Sequence, residues 1–362
     1  MILTIFVILW LLMVTSFFRC IWHGAFDAGF VGRTSDSTSN DWEKQDSSKG
    51  EWQREKGAWY PRYVLPAPSL QDIQSQDFYV VTEDGKPKWC ETCKIWKPDR
   101  AHHLKEIGYC VRRLDHYCPW VGGIVSERNF KFFIQFDVYA ALFSLYAMII
   151  TGYYLDHDVD KYARTVNLGV TVGLGIFFVL LAGGTGTSGI LCASNNLTTL
   201  ENVHQKDAVW TLAVRCSPKA GQELSTSTSS SSSSDEQASN LPPGYTIIKT
   251  PVGCNPFDMG VMANLKQVMG QRPWDWLLPI RGSPLSDPET PVAPPSIAVE
   301  YLRQKLERGE DNIDEKVRKD YERARLRSKR FPHVLASAGA PMRTCSHAIK
   351  AKKSKGEGEG EK

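Results

Sequence analysis

Apolar residues gather into three long runs separated by strongly polar stretches. The first run, Ile2 to Phe18, is followed by Arg19 and then Cys20-Ile21-Trp22. Roughly 20 apolar residues carry a helix across a hydrocarbon core, so residues 1–22 predict a transmembrane segment. A cleaved signal peptide would place basic residues before its apolar run, whereas here the charge follows it. Two further runs, 132–155 and 166–193, are each long enough to span. Gly169 and Gly173 are four apart in the third run and give it a smooth face suited to ordinary helix packing. Asp137, about one turn inside the second run, is costly in lipid and is expected to face protein or an active site.

Between these runs the pattern changes. Residues 23–87 are polar and turn-rich and predict a loop, and 156–165 predict a short link. Residues 194–280 read as soluble, with a low-complexity linker from Ser225 to Ser234. Residues 281–362 read as a charged tail: a Pro-rich linker, then apolar residues at helical spacing (Val299, Leu302, Leu306, Ile313, Val317, Tyr321) that predict an amphipathic helix or pair of helices over Ile297–Arg330, then a disordered end. This segregation explains why the mean hydropathy, −0.30, is polar in a chain expected to be an α-helical integral membrane protein.

Charge sets the orientation. Arg100, Lys105, Arg112, Arg113, Arg128 and Lys131 crowd ahead of the second run, whereas Asp156, Asp158 and Asp160 dominate the link behind it. The positive-inside bias places residues 88–133 in the cytosol and the link in the lumen. The formal net charge of +3 comes without a basic patch carrying interleaved aromatics, which argues against nucleic-acid binding. Nine cysteines in 362 residues are too sparse for a disulfide scaffold. Four of them lie between Cys90 and Cys118, a grouping that points to metal binding or catalysis in a reducing compartment.

Cys90-x2-Cys93 is half of a zinc site, because two thiolates of a tight knuckle can share one tetrahedral ion, with His103 and Cys110 as the natural remaining pair. A reduced CxxC without metal is the plainer alternative. Downstream stands Asp115-His116-Tyr117-Cys118-Pro119-Trp120. A thiol attacks acyl groups as thiolate, a neighbouring imidazole can take its proton, and a carboxylate can fix that imidazole's tautomer. Read this way, Cys118 is a nucleophile at a bilayer surface, His116 its base and Asp115 the orienting group. The residues alone leave open that His116 and Cys118 are two more metal ligands.

Taken together, Cys90-x2-Cys93, Pro98-x-Arg100-x2-His103, Asp115-His116-x-Cys118-Pro119-Trp120, Asn129-x3-Phe133, Thr198-Thr199-Leu200-Glu201 and Asn255-Pro256-Phe257-Asp258-x-Gly260 with Asn264 resemble the ordered motifs of the DHHC-type protein palmitoyltransferases. The resemblance implies a transmembrane helix bundle with a small cytosolic zinc-binding Cys/His-rich domain over residues 88–133. It implies that palmitoyl-CoA loads Cys118 and that a cysteine of a substrate protein at the membrane receives the acyl group. It also implies that Thr199 contacts Asp115, with Glu201 in support. Arg112, Arg113 and Lys131 are candidate contacts for the phosphates of the acyl-CoA. In lipid, a cavity above Cys118 would bury the acyl chain, each CH2 being worth about 0.8 kcal/mol.

The departures from the family pattern are as informative. Its domain holds two zinc ions, and the ligands of the second fall here on Leu104, Ile107, Ile124 and Tyr117. An apolar cluster is expected where that metal would be, leaving one structural zinc ion whose binding contributes ~10–16 kcal/mol, as in finger peptides. Tyr117 makes the motif DHYC, similar to a branch of fungal members, and removes a metal ligand while leaving the acylating set whole. Family members place two spans before this domain; only one is visible here, and a truncated start is the favoured explanation over a native three-span form. A membrane scaffold that uses the Cys/His domain only to bind proteins is the alternative function, and a thiol redox protein built on Cys90 and Cys93 leaves the DHYC string unexplained.

Overall fold

The computed structural model describes residues 1–33, 63–155, 161–204, 208–215, 241–286 and 299. These divide into two units: Met1–Gln76, Pro87–His204 and Asn264–Val292 in one, Asp77–Lys86, Gln205–Ala263 and Ala293–Lys362 in the other. The expected Ser-rich linker, the Asp156–Asp160 part of the link, the Ile297–Arg330 helix apart from Val299, and the disordered end lie outside the described residues.

The first unit is built on three helices, α1 (Ile2–Phe26), α3 (Phe130–Leu155) and α4 (Lys161–Ser194). Among the described residues, these three are long and apolar enough to cross a membrane, over Ile2–Phe26, Phe130–Tyr153 and Val166–Ser194. Neighbours along the chain run antiparallel. Phe6 meets Phe143 and Phe17 meets Phe136, each with ring centroids 5.0 Å apart. Between α3 and α4 the contacts are made by glycines: a Cβ at Gly186 would lie 3.1 Å from Asp137 Cβ, and one at Gly189 would lie 3.0 Å from Ile134. A Cβ at Gly175 would overlap Met148. Small residues let helix backbones approach where lipid supplies no hydrophobic drive. Gly169 and Gly173 take no part, since a Cβ at either would have no described atom within 4 Å.

The stretch expected as a polar loop, 23–87, carries more structure than its pattern announces. α1 continues to Phe26, and β1 (Phe30–Val31), β2 (Val64–Leu65), α2 (Leu70–Gln74) and β3 (Phe78–Val80) follow. Strands of two or three residues have no measurable period, so pairing with remote partners decides them. β1 pairs in parallel with β2 and antiparallel with Tyr109–Val111 (β7), which in turn pairs with His102–Leu104 (β6), in the order β2-β1-β7-β6. α2 did have a local signal: Ser69 accepts from the Asp72 N–H and the Asp72 carboxylate accepts from the Ser69 N–H, a capping box.

Two more hairpins complete the Cys/His region, β4 (Trp89–Cys90) with β5 (Ile95–Trp96), and β8 (His116–Cys118) with β9 (Gly123–Val125). The polar chain from β9 into α3 is locked by Asn129, which is fully buried. Its amide donates to the carbonyls of Cys20 (3.0 Å) and Ile124 (2.7 Å), and its oxygen accepts from the Ser126 N–H (2.8 Å). α1 lies close at this point because residue 24 is glycine: a Cβ there would be 2.7 Å from the Ile124 oxygen.

The second unit holds a three-stranded sheet in the order β11 (Tyr245–Lys249), β10 (Thr211–Arg215), β3. One face buries Phe78, Val80, Leu212, Val214, Ile248, Phe257 and Val299. The Asn255–Gly260 motif shapes the turn that delivers Phe257: Asn255 Oδ1 accepts from the Phe257 N–H at 3.0 Å and Asp258 Oδ1 from the Gly260 N–H at 2.9 Å. Gly260 takes φ +94°, open to glycine alone at low cost. α6 (Val261–Met269) and α7 (Pro273–Leu277) follow in the chain.

Candidate active site and metal cluster

The β4–β5 turn presents Cys90 and Cys93, with the Cys93 N–H directed at Cys90 Sγ (3.4 Å). The strand register sets His103 directly opposite Cys110. His103 Nδ1 then lies 3.6 Å from Cys90 Sγ, 3.2 Å from Cys93 Sγ and 3.9 Å from Cys110 Sγ. All four ligand atoms fall within 4.8 Å of one another. A tetrahedral ion with bonds of about 2.0–2.3 Å has ligand–ligand edges of about 3.5–3.8 Å, so this donor set fits one metal ion with little movement. The sequence-predicted quartet is therefore brought together.

Three of the four positions that the resemblance assigns to a second metal site are apolar and packed. Ile124 belongs to a buried cluster with Ala28, Phe30, Val111 and Leu114, and Leu104 and Ile107 pack against it. The fourth position, Tyr117, is excluded from this cluster and is 57 % exposed. Phe30 comes from the strand that the sequence pattern missed.

β8 carries His116 and Cys118, with Asp115 just before it. Asp115 is buried, and its carboxylate accepts from His116 Nδ1 at 2.6 Å. The other contacts come from Thr199: its N–H donates to Oδ1 and its hydroxyl to Oδ2, both at 2.7 Å. His116 and Cys118 act on each other electrostatically, and the His116 ring stands edge-on to Phe133 with centroids 5.3 Å apart. Burial pushes the His116 pKa down, but the Asp115 hydrogen bond and then Cys118 outweigh it and raise it to about 9. Burial pushes the Cys118 thiol up, and the His116 imidazole, followed by the N–H groups of Val121 and Trp120, brings it below its ordinary value. The pair thus favours thiolate and imidazolium. Cys118 sits among Cys20, Phe130, Phe133, Ile134 and Cys192, side chains of the three spanning helices.

Thr198-Thr199-Leu200-Glu201 is a second capping box. It starts α5 (Thr199–His204): Glu201 Oε2 accepts from the Thr198 N–H at 2.8 Å and Thr198 Oγ1 from the Glu201 N–H at 3.2 Å. The cap turns Thr199 toward Asp115.

Two of the three expected phosphate contacts are not displayed for that purpose. Lys131 is fully buried, with Nζ donating to the Arg281 carbonyl at 2.9 Å, and Arg113 is 7 % exposed, donating to Asn196 Oδ1 at 2.6 Å. Arg112 is ion-paired with Glu127 at 3.2 Å. Sequence shows a positive charge but not whether the fold has already used it. Asp137 is buried at the α3–α4 contact, facing protein as expected.

Three helices able to span a membrane, a Cys/His quartet that could hold a metal ion, and an Asp–His–Cys line at the foot of the helices thus occur together. Residues 83–206 match the family described as DHHC palmitoyltransferase. The chain is 39 % identical over 263 residues to palmitoyltransferase pfa5 of Aspergillus fumigatus, covering 68 % of this chain and 59 % of that protein. It is 35 % identical over 266 residues to palmitoyltransferase pfa5 of Emericella nidulans, covering 62 % and 54 %. It is 27 % identical over 248 residues to the human palmitoyltransferase ZDHHC15, covering 66 % and 60 %. The chain spans between half and three fifths of the length of these relatives. Through residues 83–206 the chain carries a DHHC palmitoyltransferase domain, in an α-helical membrane protein with three helices able to span a bilayer.

Proposed function

We propose that the chain is a protein S-acyltransferase that takes a long-chain acyl group from acyl-CoA, palmitoyl-CoA being the expected donor, and passes it to cysteines of membrane-associated proteins. The observation that carries this is the Asp115–His116–Cys118 line, buried where three spanning helices meet the Cys/His region. His116 takes the Cys118 proton. The thiolate attacks the thioester carbonyl, a new C–S bond forms, and the CoA thiolate leaves with the proton returned by His116. In the second half, an acceptor cysteine gives its proton to His116, attacks the Cys118 thioester and releases the Cys118 thiolate. Asp115 holds the His116 tautomer and offsets the imidazolium charge throughout.

Cys90, Cys93, His103 and Cys110 would hold one zinc ion, which ties the β4–β5 hairpin to the β6–β7 hairpin and takes no part in the chemistry. Leu104, Ile107 and Ile124 supply the packing of the absent second site. The basic residues ahead of α3 favour a cytosolic placement of this region, where thiols stay reduced. In the test, the purified full chain is incubated with radiolabelled palmitoyl-CoA and a cysteine peptide. Hydroxylamine-releasable label is expected on both the protein and the peptide, and on neither with Cys118→Ser. Undiminished transfer by that variant would overturn the reading.

A further inference from the structure

Arg100 lies in the loop between β5 and β6, three residues before the ligand His103, with its backbone in the left-handed region at φ +63°. A non-glycine residue holds that conformation where its surroundings over-determine it. Here they do. Nε donates to Glu201 Oε1 at 2.8 Å and Nη2 to Glu201 Oε2, a two-pronged pair whose side chains are 7 % and 8 % exposed. Nη1 donates to Asn196 Oδ1 and Nη2 to the Asn196 carbonyl, both at 3.0 Å.

Asn196 is no passive neighbour. It ends α4 in a Schellman motif: its own N–H reaches the Ala193 carbonyl (3.1 Å), the Leu197 N–H reaches that of Cys192 (2.9 Å), and residue 196 takes φ +52°. Its amide donates onward to Gln267 at 2.9 Å. The end of α4, the capping box and the metal-loop arginine therefore form one buried polar cluster. Among the described residues, the charged and titratable groups facing Glu201 are Arg100, Arg113, His102 and Cys192.

We infer that Arg100 is a positioning residue: by gripping Glu201 and Asn196 it holds the Thr198–Thr199 turn against Asp115 and so keeps His116 directed at Cys118, an inference that rests on the acyl-transfer reading above. The route runs through hydrogen bonds and the peptide bond between Thr198 and Thr199. Arg100 holds Glu201, Glu201 caps Thr198, Thr199 donates twice to Asp115, and Asp115 holds His116. A lysine cannot replace it, because a point charge grips one carboxylate oxygen where the guanidinium grips two and still reaches Asn196. The loop that folds around the metal thereby sets the reactivity of a thiol that does not touch the metal.

The test measures Cys118 alkylation by iodoacetamide against pH, site by site by peptide mass spectrometry, in the full chain with its metal bound. Wild type is expected to show a thiolate titrating below the ordinary range of about 8.5. Arg100→Lys and Glu201→Gln are expected to move that titration upward by about one pH unit and slow alkylation near pH 7 about tenfold, with metal content unchanged. Profiles that coincide with wild type would overturn the inference and leave the acyl-transfer reading standing. So would loss of the metal in both variants, which would make the pair a support of the metal fold only. An ordinary titration in wild type would instead undercut the acyl-transfer reading itself.

Discussion

Thr199 meets Asp115 twice, through its backbone N–H and through its hydroxyl, at 2.7 Å each. The two residues are 84 positions apart in the chain, yet the contact leaves the Asp115 carboxylate little freedom except to face Nδ1 of His116. The carboxylate that holds the imidazole is thus itself held from the far end of α4.

Thr199→Val keeps the N–H contact and loses the hydroxyl, one bond to a charged acceptor. The rate of Cys118 acylation is expected to fall about ten- to hundredfold. Asp115→Asn, which removes the charge opposite the imidazolium, is expected to cost about 10²–10⁴-fold. Stopped-time labelling with acyl-CoA measures both, and equal rates for Thr199→Val and wild type would contradict the positioning role.

The pH dependence of loading follows from the signs of the two shifts. The Cys118 thiolate persists below the usual thiol range, and His116 stays protonated up to about 9. Single-turnover loading should rise with pH on the acid side of about 8.5, hold a plateau, and fall as pH passes about 9 and the imidazolium is lost. His116→Gln should shift the rising limb to higher pH. A wild-type rate that climbs without limit past the His116 value would contradict the ion-pair state.

Metal content is expected to be one zinc per chain, lost in Cys93→Ser and His103→Ala together with a large drop in thermal stability. Elemental analysis of the purified chain measures it. Two tightly bound ions would contradict the apolar replacement of the second site.

Helix contact at residue 24 is a sharper test of packing. Gly24→Ala places a methyl 2.7 Å from the Ile124 oxygen and 2.9 Å from Asn129 Nδ2, and should destabilise by about 1–3 kcal/mol. Gly173→Ala, with nothing within 4 Å, should leave the thermal unfolding midpoint in detergent unchanged. Indistinguishable midpoints for the two variants would contradict the close approach of α1.

Much of this was legible in the sequence because its causes are local. Runs such as Phe132–Leu155 declare a span by length and hydropathy, and Cys90-x2-Cys93 declares a knuckle by spacing. The capping box at Thr198 and Glu201 is equally local, although its meaning needs Arg100, which lies 101 positions away from Glu201. What stayed hidden depends on remote pairing. Phe30 has no periodic neighbours to mark a strand, and pairing with β2 and β7 makes it one. Arg113 and Lys131 read as surface charges ahead of a span, and only the folded chain shows them buried against Asn196 and the Arg281 carbonyl.

The whole scheme stands on one sulfur. After a single-turnover mix of the full chain with palmitoyl-CoA, digestion and peptide mass spectrometry should find the acyl mass on the peptide bearing Cys118, removable by hydroxylamine and absent in His116→Ala. An acyl group on Cys20, Cys192 or any other side chain, with Cys118 recovered free at every time point, would contradict it.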